Sequence, residues 1–589
     1  MSTVTETGQR HRRRVRLTPV RSIPVEFAGE RAGEGPLTLG QLNMYMWLSA
    51  TPDHFYALLC AELPVPALAS VTDVAEAAAV LIARHESLRT TYVPGEPPRQ
   101  RVAASGTQML EVCSLGAGQW GAQDRPAVAE TLIRWLRESL DPARRPVRIA
   151  VAIAPDAGDR VIACAAGFTH LAMDHLSIEV LKRDFAGLLD HPARTPAGPA
   201  GGHQPLDQAE LEATQAERRK ADAALDHVRE QTWRIPHCLY ALPGARTSGE
   251  ALAVELSSVA GAMAVQRVAA RTRTSRSSTV LAAICAVVAR RASYRELVLP
   301  LVSSNRFERH LVNYIGTLCQ GAIATIEIGE RSFDELVRHT WTTVMEANRL
   351  ARYDAARRDS VDDMIRHQRG LRFSYDPVFN DIVPESWSGL TAHVGFQPAE
   401  IDLALTRTEL RWRPMQVNGA PFRFSLHQVD GCLRLDVWSG DTGLLPRAEL
   451  ESLLLAIDRL LAAAAHGDLA DSQLPALIGL EPIPASPDRI LIDHCWVHVT
   501  DVQRLVDQAL APAVTRVFAS ARSRQLAAYL TATDAIRTPE QAHARCMAAL
   551  EHHPTAITPR HYVICGTAPS DPADPAAWPP PLATGTGRA

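Results

Sequence analysis

Arg84-His85-Glu86-Ser87-Leu88-Arg89-Thr90, followed by Tyr92, places four ionisable side chains within six residues, just where an apolar pattern runs out. The apolar positions from Thr72 to Ser87 recur at helical spacing, so the stretch closes a predicted helix and leads into the next element. His85 and Glu86 can be read as an acid/base pair. They can equally be read as structural, holding a helix end to a strand, and the residues alone leave both readings open.

Further along, a second helical pattern spans Ala127 to Ser139, and a hairpin follows it. Val147, Ile149, Val151 and Ile153 alternate along one predicted strand. Pro155-Asp156-Ala157-Gly158-Asp159 makes the turn, and Arg160 to Phe168 returns. The returning strand delivers His170 at its exit, within Thr169-His170-Leu171-Ala172-Met173-Asp174-His175, with Ser177 just beyond. An imidazole titrates near neutral pH, and acyl transfer to an amine or hydroxyl needs such a proton acceptor or positioner. A single histidine near an aspartate is more often a satisfied structural residue, so the neighbouring segments must decide.

Several of those segments resemble one family in the right order. Arg84 to Thr90 closely resembles the R-H-E-x-L-R-T-x-F motif of nonribosomal peptide synthetase condensation domains. Leu39-Gly40-Gln41-Leu42-Asn43-Met44-Tyr45-Met46-Trp47 resembles their first motif, in which Gln41 precedes an aromatic-rich helix. The segment at His170 aligns with H-H-x-x-x-D-G, a signature shared more loosely with the chloramphenicol acetyltransferase superfamily. Ser303-Ser304-Asn305-Arg306 and Asn313-Tyr314-Ile315-Gly316-Thr317 resemble two later motifs. The resemblance covers roughly Pro36 to Leu480.

It implies two chloramphenicol acetyltransferase-like lobes in a V shape, with a tunnel in which donor and acceptor meet at His170. It also implies that His170 accepts or orients the proton of the attacking group. Asp174 is implied to face away from the imidazole and pair with Arg306, making both structural members of the site. Arg84, His85, Glu86, Arg89 and Gln41 support the motifs, and Ser177 belongs to the loop. Two residues depart from the pattern. Thr169 stands where the family has its first histidine, a packing residue. His175 stands where it has glycine, a residue that permits close approach or unusual φ; an imidazole there is expected to narrow or re-polarise the tunnel.

The composition sets bounds on these readings. The chain has 589 residues, 46% of them hydrophobic, with 61 lysines and arginines against 65 aspartates and glutamates. Its net charge of -4 supplies no field for nucleic acid or an anionic membrane. Ten cysteines without a C-x-x-C pair or a Cys/His cluster argue against a metal site and for reduced thiols in a cytoplasmic protein. The longest apolar stretch, Val280 to Ala289, is too short for a bilayer needing about 20 residues. There is no Walker loop, no G-x-S-x-G elbow and no H-E-x-x-H.

The fold class is therefore α/β (α+β layered), in the following order. Residues 1–35, including the basic run Arg10 to Arg16, form a disordered leader; 36–190 the N-terminal lobe; 191–250 a connector from His191 to Pro205 and a polar helix from Glu210 to Thr232. Residues 251–480 form the C-terminal lobe, with a helix at Ser277 to Arg291, a strand at Leu297 to Val302, a hairpin turning at Asp430-Gly431 and a closing helix at Ala448 to Ala464. After a proline-rich link (Glu481 to Pro487), 488–566 form a small α/β segment weakly similar to the C-terminal subdomain of adenylation enzymes, and 567–589 a disordered tail. That subdomain normally supplies a lysine, but no lysine lies beyond Lys220. The expected activity is that of a free-standing condensation enzyme with no permanently bound cofactor. A phosphopantetheine thioester arrives on an acyl or peptidyl carrier protein in trans, and the nucleophile is a small molecule or carrier-bound. Alternatives are an acyl-CoA-dependent acyltransferase and an inactive condensation-like module that binds partners.

Overall fold

The computed structural model describes residues 15–50, 58–117, 120–139, 146–155, 158–190, 202–240, 242, 249–383, 397–414, 422–484, 486–520 and 525–588. Residues 10–14 of the basic run, two residues of the expected turn (156 and 157), most of the connector (191–201) and residue 485 of the proline-rich link lie outside them. The chain divides into two units. The first comprises Met1–Arg219 with Arg306–Cys319, and the second Lys220–Asn305 with Gln320–Ala589.

The first unit is built on a five-stranded sheet, ordered Leu17–Ala28, Ser105–Leu115, Val147–Ile153, Val161–Thr169, Leu58–Leu63. Val147–Ile153 and Val161–Thr169 pair antiparallel as the expected hairpin. Their alternation is not that of a half-solvated strand, because both faces are covered. Val151, Cys164, Ala166 and Phe168 pack against the helices Val71–Arg84 and His175–Asp190. Ala150, Ala152, Ala163 and Ala165 meet Val128, Leu132 and Leu136 of the helix Arg125–Ser139 on the other side. Small residues on that second face let the helix approach closely.

Three expectations are corrected between Leu17 and Thr232. The expected disordered leader contains the strand Leu17–Ala28, paired along its length with Ser105–Leu115 and anchored by buried Val25 and Phe27. It occupies a sheet edge with most of its side chains in solvent, so it lacks a strong apolar pattern. The helix expected to reach Ser87 stops at Arg84, because His85 is extended (φ -106°, ψ 113°), and Glu86–Arg89 form a 3-10 turn. The polar helix is two helices, Pro205–Glu212 and Gln215–Thr232.

The second unit carries a seven-stranded sheet, ordered Gln320–Glu327, Glu296–Ser303, Val378–Asp381, Phe422–Gln428, Leu433–Ser439, Leu252–Ser258, Glu409–Pro414. The buried helices Arg276–Ala292 and Arg447–Ala464 lie in its main core, the second through Leu453, Leu454, Ile457, Leu460 and Leu461. Residues 306–319, expected inside the C-terminal lobe, belong instead to the first unit, where their polar backbone is hydrogen-bonded. The C-terminal segment forms a four-stranded sheet, Thr515–Ser520, Gln525–Thr531, His561–Cys565, Pro581–Gly585. Its last strand corrects the expected disordered tail: Pro581–Gly585 pairs with His561–Cys565, and Trp578 is buried. Among the described residues no helix is long and apolar enough to cross a membrane.

Candidate active site

His170 is the first residue past the buried strand Val161–Thr169. The backbone N–H groups of Ala172 and Met173 both donate to the Thr169 carbonyl, at 3.0 and 3.2 Å, so the chain turns back at once and enters the helix His175–Asp190. Thr169 is fully buried, and its hydroxyl accepts weakly from the Leu171 N–H at 3.4 Å.

Asp174 precedes the helix, and its Oδ1 accepts from the Ser177 N–H at 2.9 Å, as a capping residue does. The same carboxylate is gripped by Arg306, Nη1 to Oδ2 and Nη2 to Oδ1, both at 2.7 Å, and Oδ2 also accepts from the Leu318 N–H at 3.0 Å. Burial alone pushes this carboxyl up. The Arg306 charge and the four donors outweigh that, holding it below the usual carboxylate range.

The segment Arg306–Cys319 binds the loop at several further points. Ser177 Oγ donates to the Gly316 carbonyl at 2.7 Å, and accepts from the Gly316 N–H at 3.0 Å and from Arg306 Nη2 at 2.8 Å. Ser87 Oγ donates to the Ile315 carbonyl at 2.7 Å. Thr317 Oγ1 donates to the His170 carbonyl at 2.5 Å. Gly40 packs against this segment so closely that a Cβ there would stand 2.4 Å from the Thr317 carbonyl oxygen. All five quoted motifs therefore meet at one loop and its clamp.

His170 itself is half-buried, and its Nδ1 is enclosed without a side-chain hydrogen-bond partner among the described residues. Burial is the main cause that lowers its pKa, opposed by the surrounding backbone and by the Asp174 charge, so the imidazole is neutral at neutral pH. His175 is exposed at the first helical position and does not have positive φ, so this backbone does not require glycine.

The remaining motif residues hold elements together. Arg84 and His85 both reach Asp184 Oδ2 on the helix His175–Asp190, at 3.6 and 3.2 Å. Burial lowers the His85 pKa and raises that of Glu86. Glu86 accepts from the Leu206 N–H at 3.2 Å. Arg89 donates to the carbonyls of Arg31 and Ala103 and lies over Gly29, where a Cβ would be 2.4 Å from its Cζ. Gln41 forms a capping box with Thr38 and donates to Gln100 at 3.1 Å. Sequence reasoning missed Asp184, the Ser87 tether and the Thr317 bond. Ser87 and Thr317 stand inside quoted motifs, but a hydroxyl does not announce a partner so distant in sequence.

No family model matches the chain. The phosphinothricin tripeptide synthetase PhsC of Streptomyces viridochromogenes is 27% identical over 368 residues, covering 59% of this chain and 32% of that protein. The match thus spans about a third of the curated relative's length. Among solved structures, one describing condensation domain-mediated chain release from the enacyloxin polyketide synthase superposes with a TM-score of 0.53 at 16% identity. It covers 78% of this chain and 85% of the other. The X-domain from teicoplanin biosynthesis superposes with a TM-score of 0.53 at 17% identity, covering 75% and 97%. The chain has the condensation-domain fold of nonribosomal peptide and polyketide synthetases.

Proposed function

We propose that this protein transfers an acyl or aminoacyl group from a carrier-protein phosphopantetheine thioester to an amine or hydroxyl, with His170 as proton acceptor or positioner. The observation that carries the reading is a neutral, half-buried imidazole at the end of a buried strand, on a loop clamped by the Asp174–Arg306 pair. In the reaction the nucleophile attacks the thioester carbonyl and a C–N or C–O bond forms. His170 takes the proton of the attacking group, the C–S bond breaks, and the proton passes to the departing thiolate. General-base help of this kind is worth about 10²–10⁴-fold, with alignment supplying more. Asp174 has no share in the proton transfer, because both of its oxygens face Arg306. Arg306, Asp174 and Ser177 hold the loop; Thr169 packs beneath it.

The test is mass spectrometry of products from carrier-bound acyl thioesters offered with amines and alcohols, alongside the matching acyl-CoA. Product from the carrier thioester alone supports the reading; turnover of acyl-CoA at equal or higher efficiency replaces it with a CoA-dependent transferase. A second reading, a non-catalytic module that binds partner proteins, is supported by the likeness to the X-domain from teicoplanin biosynthesis, one structure of which is a complex with OxyB. Carrier binding without product from any thioester would establish that second reading.

A further inference from the structure

We infer that Thr317 is the positioning residue for His170, its hydroxyl fixing the direction in which the imidazole leaves the strand end. The inference rests on the reading of His170 as the reacting group, and three observations carry it.

First, among the described residues no side-chain acid orients the ring. In hydrolase triads a carboxylate bonded to the imidazole sets its angle. Here the enclosed Nδ1 has no side-chain hydrogen-bond partner among the described residues, and the one carboxylate on the loop, Asp174, is occupied by Arg306 and two backbone N–H groups. The ring must therefore be aimed by packing and by its own backbone. Second, that backbone has a tie: the His170 carbonyl accepts from Thr317 Oγ1 at 2.5 Å. Third, the tie is anchored to rigid structure. Thr317 is fully buried, between Gly316, which is bonded twice to Ser177, and Leu318, whose N–H meets Asp174. Its carbonyl lies so close to Gly40 that no Cβ fits there. The Asp174–Arg306 pair thus fixes the frame, and Thr317 transmits that frame to residue 170. Misplacement of a reacting group by about 1 Å can cost 10²-fold in rate.

Thr317→Val keeps the shape of the side chain and removes the donor; Thr317→Ser keeps the donor. The Val variant is expected to lower kcat about fivefold to tenfold with KM within about twofold, the range a single lost hydrogen bond of about 1 kcal/mol allows. NMR of the His170 ring, with unfolding midpoints recorded in parallel, reads the positioning without turnover. Its titration midpoint should move in Thr317→Val and return in Thr317→Ser. An unchanged ring signal and kcat within twofold of wild type in Thr317→Val overturn the inference, as does a loss that Thr317→Ser fails to restore. His170→Ala, run alongside, separates the two claims. Full turnover there removes the catalytic reading of His170, while the ring titration still reports on Thr317.

Discussion

Two arginines, one in each unit, are sequestered in opposite ways. Arg306 meets a carboxylate in two-point contact, and its partner Asp174 is also a helix cap and a receptor for two backbone N–H groups. Arg588, at the end of the C-terminal segment, makes no ion pair among the described residues. It donates instead to the carbonyls of Gln368, Thr558 and Pro559 and to the Thr558 hydroxyl, at 3.0–3.3 Å. Burial draws its pKa down to about 10. The first arrangement links five sequence motifs around a loop that presents a side chain. The second fastens the segment after the strand Pro581–Gly585 to the body of the second unit beside Gly370, where a Cβ would collide with the guanidinium. A paired charge organises a loop here, and a guanidinium held by carbonyls fastens a strand exit.

Breaking the pairs should separate the two sharply. Arg306→Ala leaves Asp174 buried without its counter-ion, and denaturant unfolding should show a loss of about 3–5 kcal/mol. Arg306→Lys should recover only part of it, since an ammonium does not reproduce the two-point grip. Arg588→Ala removes four hydrogen bonds but strands no opposite charge, and should cost less, about 1–3 kcal/mol by the same measurement. Equal losses at the two sites would erase the distinction.

The pH profiles sharpen it. The folded Asp174 carboxyl titrates below its unfolded value of about 4. Its stabilising contribution is therefore complete above that value and is lost as pH falls through the folded pKa. Unfolding midpoints measured from pH 6 downward should show this acid limb in the wild type and lack it in Asp174→Asn. For His170, burial lowers the pKa, so the acid limb of kcat/KM should fall below the ordinary imidazole value of about 6.5. The smallest effect is expected at position 175. His175→Gly alters an exposed residue with a helical backbone and should change stability by no more than about 1 kcal/mol.

The difference between these regions also marks what the sequence made legible. The loop at His170 was readable through resemblance: a histidine at a strand exit with Asp174 four residues on says little alone, and the family motifs on either side pointed to Arg306 as its partner. The hairpin Val147–Thr169 and the helix Arg447–Ala464 were readable from period, since their apolar faces are long and unbroken. The strand Leu17–Ala28 was not, because an edge strand with one apolar run at Ile23, Val25 and Phe27 looks like any polar leader. Pro581–Gly585 was hidden by composition, its pairing resting on a partner strand and not on its own propensity. The helix end at Arg84 was misplaced because His85 and Glu86 bond to Asp184 and Leu206, both distant in sequence. Local pattern carries the elements; long-range hydrogen bonds decide where they stop.

The account turns on one imidazole, and single-turnover transfer from an acyl-loaded carrier protein tests it most directly. With folding confirmed by unfolding midpoints, His170→Ala should slow product formation by about 10²–10⁴-fold relative to wild type. Product formed at the wild-type rate by the folded variant would contradict the account.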